Sequence, residues 1–324
     1  MSNAAVNVDN FARAETGRMF AAVQAQAGVN QWLHYRAPTP VDRQTVIRMN
    51  RDTLYSAAVV DISAGARLTI PGAGRRYLSV MIVNQDHYVN QVFHDPGEYD
   101  LTPEQFGTPY VVAAARVLVD PADPADVAAV NALQDQFGLK AGSARPFAMP
   151  DYDQSSLDAT RAALLELNKG LTAFHRAFGA KDEVDPVHHL IGTAAGWGAL
   201  PDREAAYLSV TPGLPPGKYQ LTVRDVPVDG FWSVSVYNAA GYFEPNDRGA
   251  YSVNTSPPSA TGTGRSPSTS AAAGTVGPTA CRSWTAGTTP CVSTGPAPRS
   301  STAAGPSRPS HPVPDSGSGC ISWE

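Results

Sequence analysis

The chain has 324 residues, 42% hydrophobic and 16% charged, with a formal net charge of −5. That length admits two medium domains or one large β-rich one, and an acidic balance with no basic stretch interleaved with aromatics argues against nucleic acid as a partner. No apolar run approaches the ~20 residues that span a bilayer, and the opening "MSNAAVNVDNFARAETGRMF" lacks the basic and apolar regions of a secretory signal, so a soluble cytoplasmic protein with no membrane partner is expected.

The first element is a predicted helix over roughly Asp9 to Gln26, where Phe11, Met19, Phe20 and Val23 recur at mixed helical spacing. Strand signals follow. "YSAAVVDIS" and "ARLTI" lead through the turn cluster "PGAGRR" into "YLSVMIV". There Leu78, Val80 and Ile82 alternate with Tyr77, Ser79, Met81 and Val83, so both faces are largely apolar and the strand is expected to be covered on both sides. "TPYVVAAARVLVD" predicts another long strand.

The period then changes. Asp123 can cap a helix with Pro124 at its first position, Gly138 closes it, and Val127, Val130, Leu133 and Phe137 share one face. A second helix is predicted from Leu157, Leu164, Leu171 and Phe178 at heptad spacing, with Leu167 and Phe174 between them. Such a stripe reads as a packed helix before it reads as a partner-binding one. "GTAAGWG" and "PGAGRR" lack the context of a phosphate-binding loop and read as turns. Past "GTAAGWGALP" the strand period returns in "YQLTVRDVP" and "GFWSVSVYN". In the latter Trp232, Val234 and Val236 face one way and Phe231, Ser233, Ser235 and Tyr237 the other, as in a half-buried antiparallel strand. Strands, helices, then strands make a mainly β chain of α+β type.

From Thr255 onward there is no Leu, Phe, Tyr, Met, Lys, Asn or Gln. Cys281, Cys291 and Cys320 all lie in this tail, an odd number at irregular spacing that fits neither a disulfide framework nor a zinc site. Disordered tails are rich in Ser and Pro but keep Lys, Gln or Glu. Near-total loss of such residues, with Glu324 the one exception, is what a GC-rich gene yields when read out of register. Back-translated, and with codons rebuilt from the last base of one codon and the first two of the next, "TVGPTACRSWTAGTTPCV" can read DGRPNCLPIVDGWNYTVR. The following "STGPAPRSSTAAGPSRP" can read LYRPRAEILDGRWTFPAI. A reading-frame shift at or near Asn254 is the expectation, with a genuine disordered tail as the alternative.

Several segments, "VIRMNRDTLYSAAVVDISAGARLTIP", "RRYLSVMIVNQDHYVNQVFHDPGEYDLT", "FGTPYVVAAARVLVDP", "HLIGTAAGWGALP" and "VPVDGFWSVSVYNAAGYFEPNDRGAYSVN", resemble a bacterial family that carries two tandem domains of unknown function, numbered 1254 and 1214. The resemblance runs from about residue 8 to Asn254. In that family the second domain continues with a segment like NCLP…GWNY…RLYRP, which here exists only in the displaced frame. The resemblance implies two β-sandwich, jelly-roll-like domains with a helical middle segment and no established activity. The expected organisation is a 1254-like β-rich domain over 8–120, a helical connecting segment over 121–205, the truncated start of a 1214-like sandwich over 206–254, and an out-of-frame, disordered tail over 255–324. If the missing strands complete the second sandwich, "GFWSVSVYN" and "YQLTVRDV" are left with unpaired edges.

Candidate sites are sparse. "NRDTLY" sets Asn50, Arg51 and Asp52 beside Tyr55 at a strand entry. A guanidinium among polar groups there could hold a carboxylate or sugar hydroxyls; the alternative is that Arg51 and Asp52 simply pin the start of the sheet. "NQDHYVNQVFHD" offers His87, Asn90 and His94, but in a strand the two histidines would face opposite sides, and the adjacent His188 and His189 also diverge. No metal and no cofactor is expected. Trp232 reads as core, with a sugar-stacking platform as the alternative. No G-x-S-x-G elbow occurs. Two functions remain: a β-sandwich binding or assembly module for a small molecule or saccharide, and a hydrolase-like enzyme with its site between the domains. A homo-oligomer stays open.

Overall fold

β-branched and small apolar residues between residues 53 and 118 build the antiparallel sheets that carry everything else. In a computed structural model of the chain the described residues are 3–44, 48–171, 173–209, 221–223, 228–247, 249–254, 290–294 and 321–323. They form two units, Met1–Pro38 with Arg51–Glu204, and Thr39–Asn50 with Ala205–Glu324. The first unit runs α1 (Phe11–Ala27), β1 (Leu33–His34), β2 (Thr53–Asp61), β3 (Ala66–Ile70), β4 (Leu78–Asn84), β5 (Val89–Phe93), β6 (Gly97–Leu101), α2 (Pro103–Phe106), β7 (Tyr110–Leu118), α3 (Pro124–Gln134), β8 (Gly138–Ala141), α4 (Gln154–Asn168) and α5 (Pro186–Gly196). The second holds β9 (Tyr207–Ser209), β10 (Leu221–Val223), β11 (Trp232–Val236), β12 (Ser252–Asn254), β13 (Pro290–Thr294) and β14 (Ile321–Trp323). The fold is mixed α+β, with every ladder between these strands antiparallel.

In the first unit a five-stranded sheet, β1-β2-β7-β4-β5, and a three-stranded sheet, β6-β3-β8, share one core. Leu54, Ala58 and Val60 of β2, Val80 and Ile82 of β4, and Ala113 and Val117 of β7 meet Leu68 and Ile70 of β3 and Leu101 of β6 there. Each fully buried Val, Leu or Ile contributes about 1.5–3 kcal/mol. The other face of the larger sheet is apolar at one end, where Val59 and Val112 lie under Phe20 of α1 and Phe147. β4 is therefore covered on both sides along its whole length, as its sequence predicts.

Helix α3 starts where expected, the Asp123 carboxylate accepting from the Ala125 N–H at 2.9 Å with Pro124 next in line. It stops at Gln134, however, and Gly138 begins β8 opposite Thr69 rather than closing the helix. The predicted long second helix is likewise shorter. α4 ends at Asn168, burying Leu157 and Leu164 and leaving Leu167 exposed. Phe174 and Phe178 lie beyond it, in an irregular segment that packs on α5. "GTAAG", read from sequence as a turn, is the end of α5. That helix is capped by Asp185, which accepts from the N–H groups of Val187 and His188, with Pro186 at the first position. Its glycines serve close approach: a Cβ on Gly192 would stand 2.9 Å from the Ala177 Cβ and 3.1 Å from the Phe178 ring.

In the second unit β12-β11-β13-β9 form one sheet and β10 pairs with β14. The alternation of β11 is as predicted, but the more buried face is that of Phe231, Ser233, Ser235 and Tyr237, not that of Trp232. Residues from the loop before β2 belong to this unit: Gln44 exchanges hydrogen bonds with the Phe243 backbone and the Tyr237 hydroxyl donates to Met49 O at 3.0 Å. The expected bare edges are paired, β11 with β13 and β10 with β14. Main-chain N–H and C=O groups are the same in every residue type, so an extended segment can fill a ladder whatever its side chains. The rest of the tail, on which disorder and a displaced frame are expected, lies outside the described residues.

Candidate functional site

His87 has the most determined surroundings of the residues singled out in the sequence. β4 and β5 are joined by a tight turn in which Asn84 Oδ1 accepts from the N–H groups of Asp86 and Tyr88, at 2.9 and 3.0 Å. The turn puts His87 in the left-handed region, φ 66°, and drives its ring inward to complete burial. The Gly198 N–H donates to Nε2 at 2.9 Å, so Nδ1 carries the proton and donates to Thr193 Oγ1 at 2.8 Å. Thr193 in turn donates to His189 O. Burial, and then the neighbouring His189, hold the His87 pKa well below its ordinary value. The ring stacks on Trp197 at 5.3 Å and on His189 at 5.5 Å, and Tyr88 covers the far side of His189 at 4.7 Å. Both His189 nitrogens face carbonyl oxygens, of Ala177 and Asp86, each at 3.0 Å. With both of its own nitrogens engaged, His87 pins the β4–β5 turn to α5.

The remaining predicted residues are dispersed. Asn50 falls in the second unit, while Arg51 and Asp52 lie in the first, just before β2. Asp52 is buried and its carbonyl accepts from the Val119 N–H at 2.8 Å. Tyr55 lies under the Arg116 guanidinium, 5.7 Å from its ring centroid. Trp232 is half-buried on β11. His188 and His189 do diverge, His188 Nδ1 meeting His175 O at 2.7 Å. Among the described residues no group of three or more His, Cys, Asp or Glu side chains could hold a metal ion.

Asn90 is different, because it lines a cleft. β5 is an edge strand of the larger sheet and β6 an edge strand of the smaller. Asn90, Gln91 and Phe93 of β5, Glu98, Tyr99 and Asp100 of β6, and Gln105 and Phe106 of α2 enclose about 420 Å³. Phe93 and Tyr99 stack at 4.0 Å, and the Tyr99 hydroxyl donates to Asp95 O, which fixes one aromatic wall. Asp100 accepts from Arg67 of β3 at 2.8 Å, and Glu98 forms an ion pair with the same guanidinium at 3.6 Å. Asn90 Oδ1 is buried without a hydrogen-bond partner. A buried acceptor left unpaired costs about 1–3 kcal/mol. The lining offers amides, carboxylates and aromatic faces, and no cation of its own. Apart from Asn90, this set was missed in the sequence. The turn "HDPGEYD" between β5 and β6 was its visible signal.

Residues 29–141 match the family described as "Protein of unknown function (DUF1254)". Those residues cover both sheets of the first unit, and with them the cleft and the His87 turn. No curated protein matches the chain. Among solved structures it is similar to the VPA0106 protein of Vibrio parahaemolyticus, with 16% identity, 76% of this chain and 81% of that one covered, and a TM-score of 0.57; the two share a fold. An uncharacterised protein of Burkholderia cenocepacia aligns over 90% of this chain and 86% of its own at 14% identity and a TM-score of 0.44.

Proposed function

We propose that the first unit is a binding module for a small neutral polyhydroxylated ligand of the saccharide class, held in the cleft between β5 and β6. The observation that carries this reading is a cleft lined by the amides of Asn90, Gln91 and Gln105, by carboxylates and by a stacked aromatic pair. Sugar hydroxyls donate to such acceptors, and C–H faces of a sugar ring lie on aromatic walls. Carboxylates in the lining disfavour phosphates and sugar acids. Titration calorimetry with neutral mono- and disaccharides tests it. Binding is expected to weaken about tenfold or more in Asn90→Ala, the loss of about 1.4 kcal/mol, while the empty Asn90→Leu variant melts no lower than the parent because an unpaired polar atom has been removed. Silence from every neutral sugar, or equal affinity in Asn90→Ala, overturns the reading.

We further infer that the intended second unit continues past Asn254 in the displaced frame, as a 1214-like sandwich. The support is the strand and turn pattern, with NCLP, GWNY and RLYRP, that the displaced frame can encode. Sequencing the gene in several isolates decides it, an uninterrupted frame encoding the Ser/Pro tail being the contrary outcome.

A further inference from the structure

The outer face of the five-stranded sheet changes character along its strands. Val59 and Val112 pair at the end covered by Phe20. Four residues further along the strands, Tyr55 pairs with Arg116, and Arg116 with Ser79 of β4, so the same face becomes polar. Tyr77 lies on it, donating from its hydroxyl to Ser79 Oγ at 3.1 Å. Burial raises the Tyr77 pKa; Ser79 and Arg116 work against that, and Glu204 adds to it. Tyr77 thus sits in the field of both Arg116 and Glu204.

His94, just past β5, completes this cluster. Phe93 faces the shared core opposite Val80, so the next residue turns to the outer face, where the His94 ring packs on Tyr77 at 5.9 Å. Its Nε2 lies 2.8 Å from the Oε2 of Glu204, a carboxylate that is 10% exposed and also 3.5 Å from Arg203 Nε. A carboxylate can only accept, so in the neutral ring the proton is on Nε2 and Nδ1 keeps its lone pair. Among the described residues nothing hydrogen-bonds Nδ1, and the His94 side chain is 32% exposed. Here are a base reachable from solvent, a buried carboxylate that sets its tautomer, and a cation and a phenol beside them.

We propose that this face is a hydrolytic site for small carboxylic esters, separate from the saccharide cleft, with His94 as general base and Glu204 as its positioning residue. A water gives a proton to His94 Nδ1 as its oxygen bonds to the ester carbonyl carbon. The bond from that carbon to the alkoxide oxygen then breaks, and the alkoxide takes the proton back from His94. Acid and alcohol leave, and water is the one co-reactant. Glu204 holds the ring and balances the imidazolium that forms in between.

Hydrolysis of p-nitrophenyl acetate by the full chain tests this. The parent is expected to turn over the ester above the buffer rate, and His94→Gln to lose roughly 100-fold or more of kcat, the range of general-base contributions. Glu204→Gln is expected to lower kcat about tenfold with KM unchanged, and Glu204→Asp to restore part of it, which a purely structural carboxylate would not do. Nitrogen-15 NMR of the parent supplies a readout independent of any variant: a proton on His94 Nε2 supports the assignment. A parent indistinguishable from buffer, a His94→Gln rate equal to the parent's, or a proton on Nδ1 overturns it.

Discussion

His87 lies two residues before β5 and His94 immediately follows it, yet one strand length separates two different chemistries. His87 is fully buried, its nitrogens taken up by Gly198 and Thr193 and its faces by Trp197 and His189. His94 is partly exposed, with one nitrogen on Glu204. The residue type is the same and so is the hairpin. The difference lies in what the neighbouring elements bring: α5 and the residues after it close around the first ring, while the second meets the Glu204 carboxylate at one nitrogen and the Tyr77 ring beside it. A histidine whose two nitrogens are both spoken for is architecture, and one left with a lone pair at a solvent-reachable edge is available for chemistry.

The largest expected effect that would sharpen this contrast is at the buried ring. His87→Ala removes the stack, opens a cavity and leaves the Gly198 N–H and the Thr193 hydroxyl without their partner. Urea denaturation should show a loss of about 3–5 kcal/mol; a loss below about 1 kcal/mol would mean that the turn is held by something else. Next comes the helix that encloses His87. Gly192→Ala pushes α5 off Ala177 and Phe178, where a Cβ has only 2.9 Å. It should cost about 1–3 kcal/mol, with faster hydrogen exchange at Thr193 and His87; an unchanged melting temperature would show that α5 need not lie so close.

The smallest effect is graded with pH. Folded His87 takes up a proton only well below the usual range, whereas the unfolded ring does so near 6.5. Its contribution is therefore complete above about pH 6.5 and is lost as pH falls below that value, at up to about 1.4 kcal/mol per unit. Glu15 and Asp61 act in a lower window. Burial raises both, but hydrogen bonds from Arg18 and Arg161 to Glu15, and from Ser143, Ser63 and Arg145 to Asp61, outweigh it and hold both below the carboxylate range. Melting curves between pH 7 and 5 should slope downward in the parent and flatten in His87→Gln. A flat parent curve would break the contrast between the two histidines.

Parts of this were legible in the residues. The two-sided apolar run from Leu78 to Val83 reads as a strand covered on both faces because nothing in it tolerates water. Asp123-Pro124 marks a helix start because the cap and the fixed φ are local. α5 was misread since its glycines look like a turn. Only the rings of Phe174 and Phe178 packed against them show why glycine is needed there. The heptad stripe overshot because leucine spacing continues past Asn168 while the helix does not. The cleft and the His94–Glu204 pair were invisible for another reason: their members come from separate elements, and no local pattern records which edges face each other.

From its order of residues alone, then, the chain specified its strands, the start of α3, the absence of an apolar helix long enough to cross a bilayer among the described residues, and the abrupt change at Thr255. Those properties depend on neighbours within a turn or a strand pair. Tertiary structure alone decided that His87 is a buried pin, that Asn90 Oδ1 faces no partner, and that Glu204 meets a histidine 110 residues away. Burial and charge pairing are set by whatever the fold carries to a point in space, and distance along the chain does not encode it.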